Sequence, residues 1–164
     1  MDKRNIEAIF PLSALQAAFL FHGVDSGHDD PGRLQMNIGL EGELDKIAFE
    51  AAWQWLVQRH SVLRTSIHWQ DLKNPLQVVH RQCGFEVRFE TAVDVDVFFH
   101  EDRNRPLDIG EAPVQLVTVI STDPGHHTMC WSCHHILLDG WSSAIILRQL
   151  IACYRSIIEH TDYE

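Results

Sequence analysis

Leu34, Met36, Ile38 and Leu40 alternate with Gln35, Asn37, Gly39 and Glu41. That two-residue period predicts a strand with one buried face, ended by Gly42. The period changes at Asp45, which is placed to cap a helix from Lys46 to about His60. Phe49, Ala52, Trp53, Leu56, Val57 and His60 fall on one stripe of that helix, the clearest amphipathic segment in the chain. Leu63, Thr65, Ile67 and Trp69 return to alternation, and the turn-forming Asp71–Pro75 leads to a second extended run at Leu76–His80, which predicts a hairpin.

Further along, Phe85, Val87 and Phe89 mark a short strand, and Val93–Arg103 reads as a helix ending before Pro106. Val114–Ile120 and Thr128–His134 are β-rich runs separated by the turn-forming Ser121–Gly125. After Gly140 a last helix carries Ala144, Leu147, Ile151, Tyr154 and Ile158 on one face. Near the start, Ser13 and Gln16 have the Ser-x-x-Gln spacing of a capping box, in which side chain and backbone donors satisfy each other. A short helix through about His22 follows, and Gly23–Gly32 reads as a loop. Strands and helices are mixed without regular alternation or internal repeat. The expected class is therefore α/β or α+β, with a mixed sheet covered by helices.

The 164 residues suffice for one core and one domain. With 23 acidic against 13 basic residues the net charge is −10, which provides no continuous positive surface for a phosphate backbone, so nucleic acid is not the expected partner. No apolar run approaches the roughly 18 to 20 residues of a membrane span. The charged start Met-Asp-Lys-Arg lacks the apolar segment of a secretory signal, so a cytoplasmic protein with reduced thiols is expected. Cys130 and Cys133 lie three apart on a predicted strand, which turns them to opposite faces and argues against a shared metal ion or a redox pair. Trp53, Trp55, Phe98 and Phe99 read as core or helix-face residues.

The segment from Met129 to Ser142 runs strand, turn, helix and contains the paired His134 and His135 followed by Asp139 and Gly140. Neighbours on a strand point to opposite faces, so one histidine should be structural and the other functional. His134-His135-Ile136-Leu137-Leu138-Asp139-Gly140 resembles the His-His-x-x-x-Asp-Gly signature of condensation domains of nonribosomal peptide synthesis. Related signatures occur in chloramphenicol acetyltransferase and plant acyltransferases. Trp141-Ser142 after the glycine is similar to the peptide-forming members. Pro11–Gln16 resembles the family's opening Ser-x-x-Gln motif, and Arg59-His60-Ser61-Val62-Leu63-Arg64-Thr65 is similar to its Arg-His-x-x-Leu-Arg-Thr motif throughout. The stretch from Arg105 to Val114 is also similar, with Leu116 standing where the family commonly has arginine.

The resemblance implies that residues 1–164 form the amino-terminal one of two related lobes, a single chloramphenicol-acetyltransferase-like lobe, with the second absent. It implies that His135 is the catalytic residue. An imidazole there could accept a proton from an attacking amine or hold that amine by a hydrogen bond. His134 would be buried support. Asp139 would form an ion pair with an arginine of the Arg-His-x-x-Leu-Arg-Thr segment, taken as Arg64, so that its removal would damage folding as well as activity. Gly140 would supply a conformation that a larger residue would strain. No metal or directly bound cofactor is implied, because the substrates ride as thioesters on the phosphopantetheine of donor and acceptor peptidyl carrier proteins. The carboxy-terminal lobe and neighbouring synthetase domains would be partners, and the isolated chain would be inactive. The alternative is a freestanding, non-catalytic half-domain that docks a carrier protein or tailoring enzyme, or associates with itself through the open lobe face. A third reading, an acyltransferase using soluble coenzyme A thioesters, shares only the His-His-x-x-x-Asp-Gly element.

Overall fold

In the computed structural model, residues 3–25, 32–91 and 94–163 are described, with the side chains of 23–25 excepted. The elements are β1 (Ile6–Pro11), α1 (Ala14–Asp25), β2 (Arg33–Glu41), α2 (Lys46–Arg59), β3 (Thr65–His68) and β4 (Leu76–His80), followed by β5 (Val87–Thr91), α3 (Val95–Asn104), β6 (Gln115–Asp123), β7 (His126–His134) and α4 (Gly140–Ile158).

The mixed sheet expected from the sequence is present, in the order β2-β7-β6-β5. β2, β7 and β6 pair antiparallel, whereas β5 and β6 are parallel and are joined through α3. A second, antiparallel sheet has the order β1-β4-β3. The β3–β4 hairpin is legible from alternation. β1 is not, since it is a six-residue segment ending in proline whose pairing with β4 breaks register between Ile6 and Ala8. The extended run expected from Leu63 begins only at Thr65, because Ser61–Arg64 winds into a 3₁₀ turn held by Leu63 N–H to His60 O (3.0 Å) and Thr65 Oγ1 to Ser61 O (2.8 Å). The expected helix start at Val93 lies outside the described residues, and Asp94 caps the observed α3.

Helix ends follow the local chemistry. The Ser13 N–H donates to Gln16 Oε1 (2.9 Å) and the Gln16 N–H to Ser13 Oγ (3.2 Å), completing the capping box of α1. Asp45 Oδ1 accepts from the N–H groups of Ile47 and Ala48, both at 3.0 Å.

Strand parity divides the large sheet into two faces. Met36 opposes Trp131, and with Leu34, Ile38, Met129 and Cys133 it faces the main core, where Phe49, Trp53 and Leu56 of α2 meet Ile146, Leu150 and Cys153 of α4. Trp53 and Trp131 are fully buried and meet edge to face at 5.2 Å, and the Trp131 indole N–H donates to Gln115 Oε1 at 3.0 Å. The opposite face presents Arg33, Gln35, Cys130 and Ser132 to α3. A smaller cluster of Leu20, Ile67 and Ile136, flanked by Phe19 and Leu137, joins α1 and β3 to the turn after β7.

Candidate functional site at the turn after strand seven

β7 ends at His134, so the second histidine stands in a turn, one residue past the strand. Its backbone is fixed from two directions: the His135 N–H donates to Gly32 O at 2.6 Å, and the N–H groups of Leu137 and Leu138 close back on His134 O at 3.0 and 3.2 Å.

The two histidines have opposite surroundings. His134 is 2% exposed, and its Nδ1 accepts the Ile136 N–H at 3.0 Å, which leaves Nε2 to carry the proton of the neutral ring. A Cβ on Gly32 would lie 2.3 Å from His134 Cε1 and 2.5 Å from Nε2, so glycine is what lets β2 begin against this ring. His135 is half-buried, and its ring stacks on Phe19 with centroids 5.2 Å apart and planes 15° from parallel.

Two expected supports sit elsewhere. Arg64 is buried, but it is not paired with Asp139. Its Nη1 meets Glu7 Oε2 at 2.5 Å and also donates to the His80 carbonyl, and its Nε donates to Gln58 O at 3.3 Å. β1 pairs with β4, which brings the Glu7 carboxylate to this arginine. Asp139 is exposed and caps α4, its Oδ1 accepting from the Ser142 N–H at 2.7 Å. Hydrogen bonds from Ser142, side chain first and then backbone, hold the Asp139 carboxyl below the usual range, and nearby His135 adds to this. Gly140 likewise supplies no special backbone. It is the first residue of α4, the positive-φ glycines among the described residues are Gly42 and Gly125, and a Cβ at Gly140 would meet nothing within 4 Å.

Nothing in the pattern of residues announces the support on the α3 face. Asp102 is 6% exposed and its Oδ2 accepts from Gln35 Nε2 (2.8 Å), Arg33 Nη2 (3.2 Å) and the Ser132 hydroxyl, with the Cys130 thiol at 3.6 Å. Burial pushes its pKa up, but the hydrogen bonds from Ser132 and Gln35 and the charge of Arg33 outweigh this and hold the carboxyl below its ordinary value. Arg33 also donates to the carbonyls of Asp102 (2.6 Å) and Arg105. The network pins the start of β2, next to the Gly32 carbonyl that holds His135.

The cysteines lie as strand parity requires, Cys130 toward Asp102 and Cys133 in the main core, and burial pushes both thiols up to about 12. An open cleft of about 840 Å³ between α2 and residues 82–87 shares no residue with the turn. Among the described residues, no helix is long and apolar enough to cross a membrane.

A family model described as Condensation domain matches residues 6–163. A linear gramicidin synthase of Brevibacillus parabrevis is 37% identical over 167 residues, covering 96% of this chain and 2% of that protein. Tyrocidine synthase 2 of the same organism is 30% identical over 169 residues, covering 98% of this chain and 5% of the relative. Among solved structures, the starter condensation domain of rhizomide synthetase RzmA superposes with a TM-score of 0.87 at 16% identity, over 96% of this chain and 41% of that one. The chain therefore spans a small fraction of its curated relatives and about two fifths of this structural neighbour.

Proposed function

We propose that this chain, which belongs to the condensation domain family, is the amino-terminal lobe of such a domain and, completed by a second lobe, forms an amide between two carrier-bound substrates. The donor acyl or peptidyl group and the acceptor amine would each be held as a thioester on the phosphopantetheine of a peptidyl carrier protein. The amine nitrogen attacks the donor thioester carbonyl, the C–N bond forms as the C–S bond breaks, and the departing sulfur leaves as the donor carrier's thiol with the proton shed by the amine.

The observation that carries this reading is the contrast between the paired histidines: His134 is buried and hydrogen-bonded, whereas His135 stands half-open on a turn anchored at several backbone positions. There it can take the amine's proton or hold the amine by a hydrogen bond, the former typically giving about 10² to 10⁴-fold. Because the thioester already supplies the driving force, much of the remaining gain comes from proximity. The test is intact-protein mass spectrometry of a loaded acceptor carrier, incubated with an acyl-loaded donor carrier and this chain, alone or joined to the carboxy-terminal lobe of a related domain. Amide formation is expected only from the joined form and should be lost in His135→Ala. A joined His135→Ala form with unchanged rate would refute the assignment of His135.

A second reading, a non-catalytic docking platform, draws on apolar side chains exposed along α4, where Trp141 is 81% exposed and Ile145, Ile151 and Ile158 are also open. Concentration-dependent sedimentation of the chain alone would support its self-associating form, and a constant monomer mass would count against it.

A further inference from the structure

We propose that Gln16 is a positioning residue for His135, an assignment that rests on reading His135 as the histidine of the reacting centre. Its capping-box role accounts for only one of the hydrogen bonds made by its side-chain amide. Oε1 accepts from the Ser13 N–H (2.9 Å) and from Gln77 Nε2 (3.3 Å), and Nε2 donates to Gln77 Oε1 (3.3 Å) and to the carbonyl of Ile136 (3.1 Å). The two acceptor sites and two donors of a primary amide are thus all engaged. Gln77 in turn donates to Pro11 O at 3.1 Å, so the amide is held from the start of α1 and from β4 and delivers its remaining donor to the residue following His135.

That carbonyl is where a hold is needed. His135 lies beyond the last strand hydrogen bond, its Cα placed by the N–H bond to Gly32 on one side and by the turn through Ile136 on the other. The plane of an imidazole is weakly set by its own torsion, since rotation about the terminal bond is broad. What orients the ring among the described residues is the face of Phe19, one helical turn after Gln16 on α1. The same short helix therefore grips the backbone through Gln16 and the ring through Phe19. Leu20 completes the arrangement by packing with Ile67 and Ile136.

The capping box and the grip on the turn can be separated by one isosteric change. Glutamate serves a capping box as well as glutamine does, so Gln16→Glu keeps the acceptor for the Ser13 N–H. It removes both donors and sets a carboxylate against the Ile136 carbonyl. The ring current of Phe19 supplies the reporter: in the 164-residue chain with labelled histidines, the His135 ring protons should be displaced upfield, their signals identified by their loss in His135→Gln. In Gln16→Glu we expect that displacement to fall by at least half and the His135 ring to gain motion, with α1 helicity and the melting transition retained. Gln16→Met, which loses the cap as well, should lower the melting temperature in addition. An unchanged His135 shift and relaxation in Gln16→Glu would overturn the proposal, leaving Gln16 a helix cap only.

In the joined, two-lobe form, Gln16→Glu should lower kcat about tenfold or more, as misplacement of a reacting group does, with KM little changed. It should cause no further loss in a His135→Ala background, because it acts through that ring. If His135→Ala alone left the rate intact, the catalytic reading would fail while the spectroscopic result still decided the positioning role. Additive losses in the double variant would overturn action through His135.

Discussion

Asp102→Ala offers a severe test of the energetics, because the carboxylate it removes is the hub of the α3 face. Its partner Arg33 has a side chain 7% exposed, so truncation leaves a buried guanidinium facing a cavity, along with the Gln35 amide and the Ser132 hydroxyl. Breaking a buried pair from one side costs about 3 to 5 kcal/mol. With a urea m value of about 2 kcal/mol/M, that cost moves the unfolding midpoint down by about 1.5 to 2.5 M. The acid dependence has a definite sign. The Asp102 carboxyl is held below its ordinary value in the fold, so its contribution is present above the unfolded carboxylate pKa of about 3.9 and is lost as pH falls through the lower folded value. The gap between wild type and Asp102→Asn should therefore narrow below about pH 4. Removing both charges with Arg33→Met and Asp102→Leu should recover most of the loss, since apolar replacement of a buried pair is often neutral. The measurement is urea denaturation followed by tryptophan fluorescence. A midpoint shift under about 0.5 M for Asp102→Ala, or additive losses in the double variant, would refute the reasoning.

Three further outcomes follow from the same geometry. Gly32→Ala drives a methyl into the buried His134 ring and should destabilise by about 1 to 3 kcal/mol, whereas Gly140→Ala enters open space at a helix start and should be neutral or gain up to about 1 kcal/mol, both read from urea midpoints. Asp139→Ala should lower the melting temperature modestly and much less than Asp102→Ala, with Asp139→Asn or Asp139→Ser restoring it, because the role is a cap at an exposed helix end. Ser66 Oγ lies 2.9 Å from His68 Nε2 and 2.7 Å from His80 Nε2, and burial is the main cause lowering the pKa of both rings. The fold therefore binds fewer protons than the unfolded chain, and stability should fall as pH drops below about 6.5, with a shallower slope between about pH 7 and 5 in His68→Gln. An unchanged slope would contradict this.

Features governed by near neighbours are legible without the fold. The Ser13–Gln16 box and the Asp45 cap need partners only two or three residues away, and the parity of β2 and β7 follows from spacing alone. Pairings across the chain are not legible. Arg64 meets Glu7, 57 residues away, because β1 joins the β4–β3 sheet, and nothing in Ile6–Pro11 announces a strand able to do so. Asp102 looks like one more acid on an exposed helix, since the groups that make it a hub, Arg33, Gln35 and Ser132, come from two other strands. Gln16 is visible as a cap, but an amide's remaining hydrogen bonds cannot be counted from a motif. The Arg64–Asp139 pair fails for the converse reason: Asp139 has a nearer use at the start of its own helix.

The bond from Gln16 to the Ile136 carbonyl spans 120 residues. At synthesis rates of about 5 to 20 residues per second, about 6 to 24 s separate the appearance of the two partners on the ribosome. The first helix must therefore wait, cap already formed, for the turn it will hold. A nascent chain halted before that turn would contain the opening motif and every strand of both sheets, yet not the turn that carries His135. Once β2 has paired with β7 and set Arg33 opposite His134, only short segments remain to be closed before Gln16 meets the Ile136 carbonyl. The cost of the long loop therefore falls on the strand pairing and little of it on the turn.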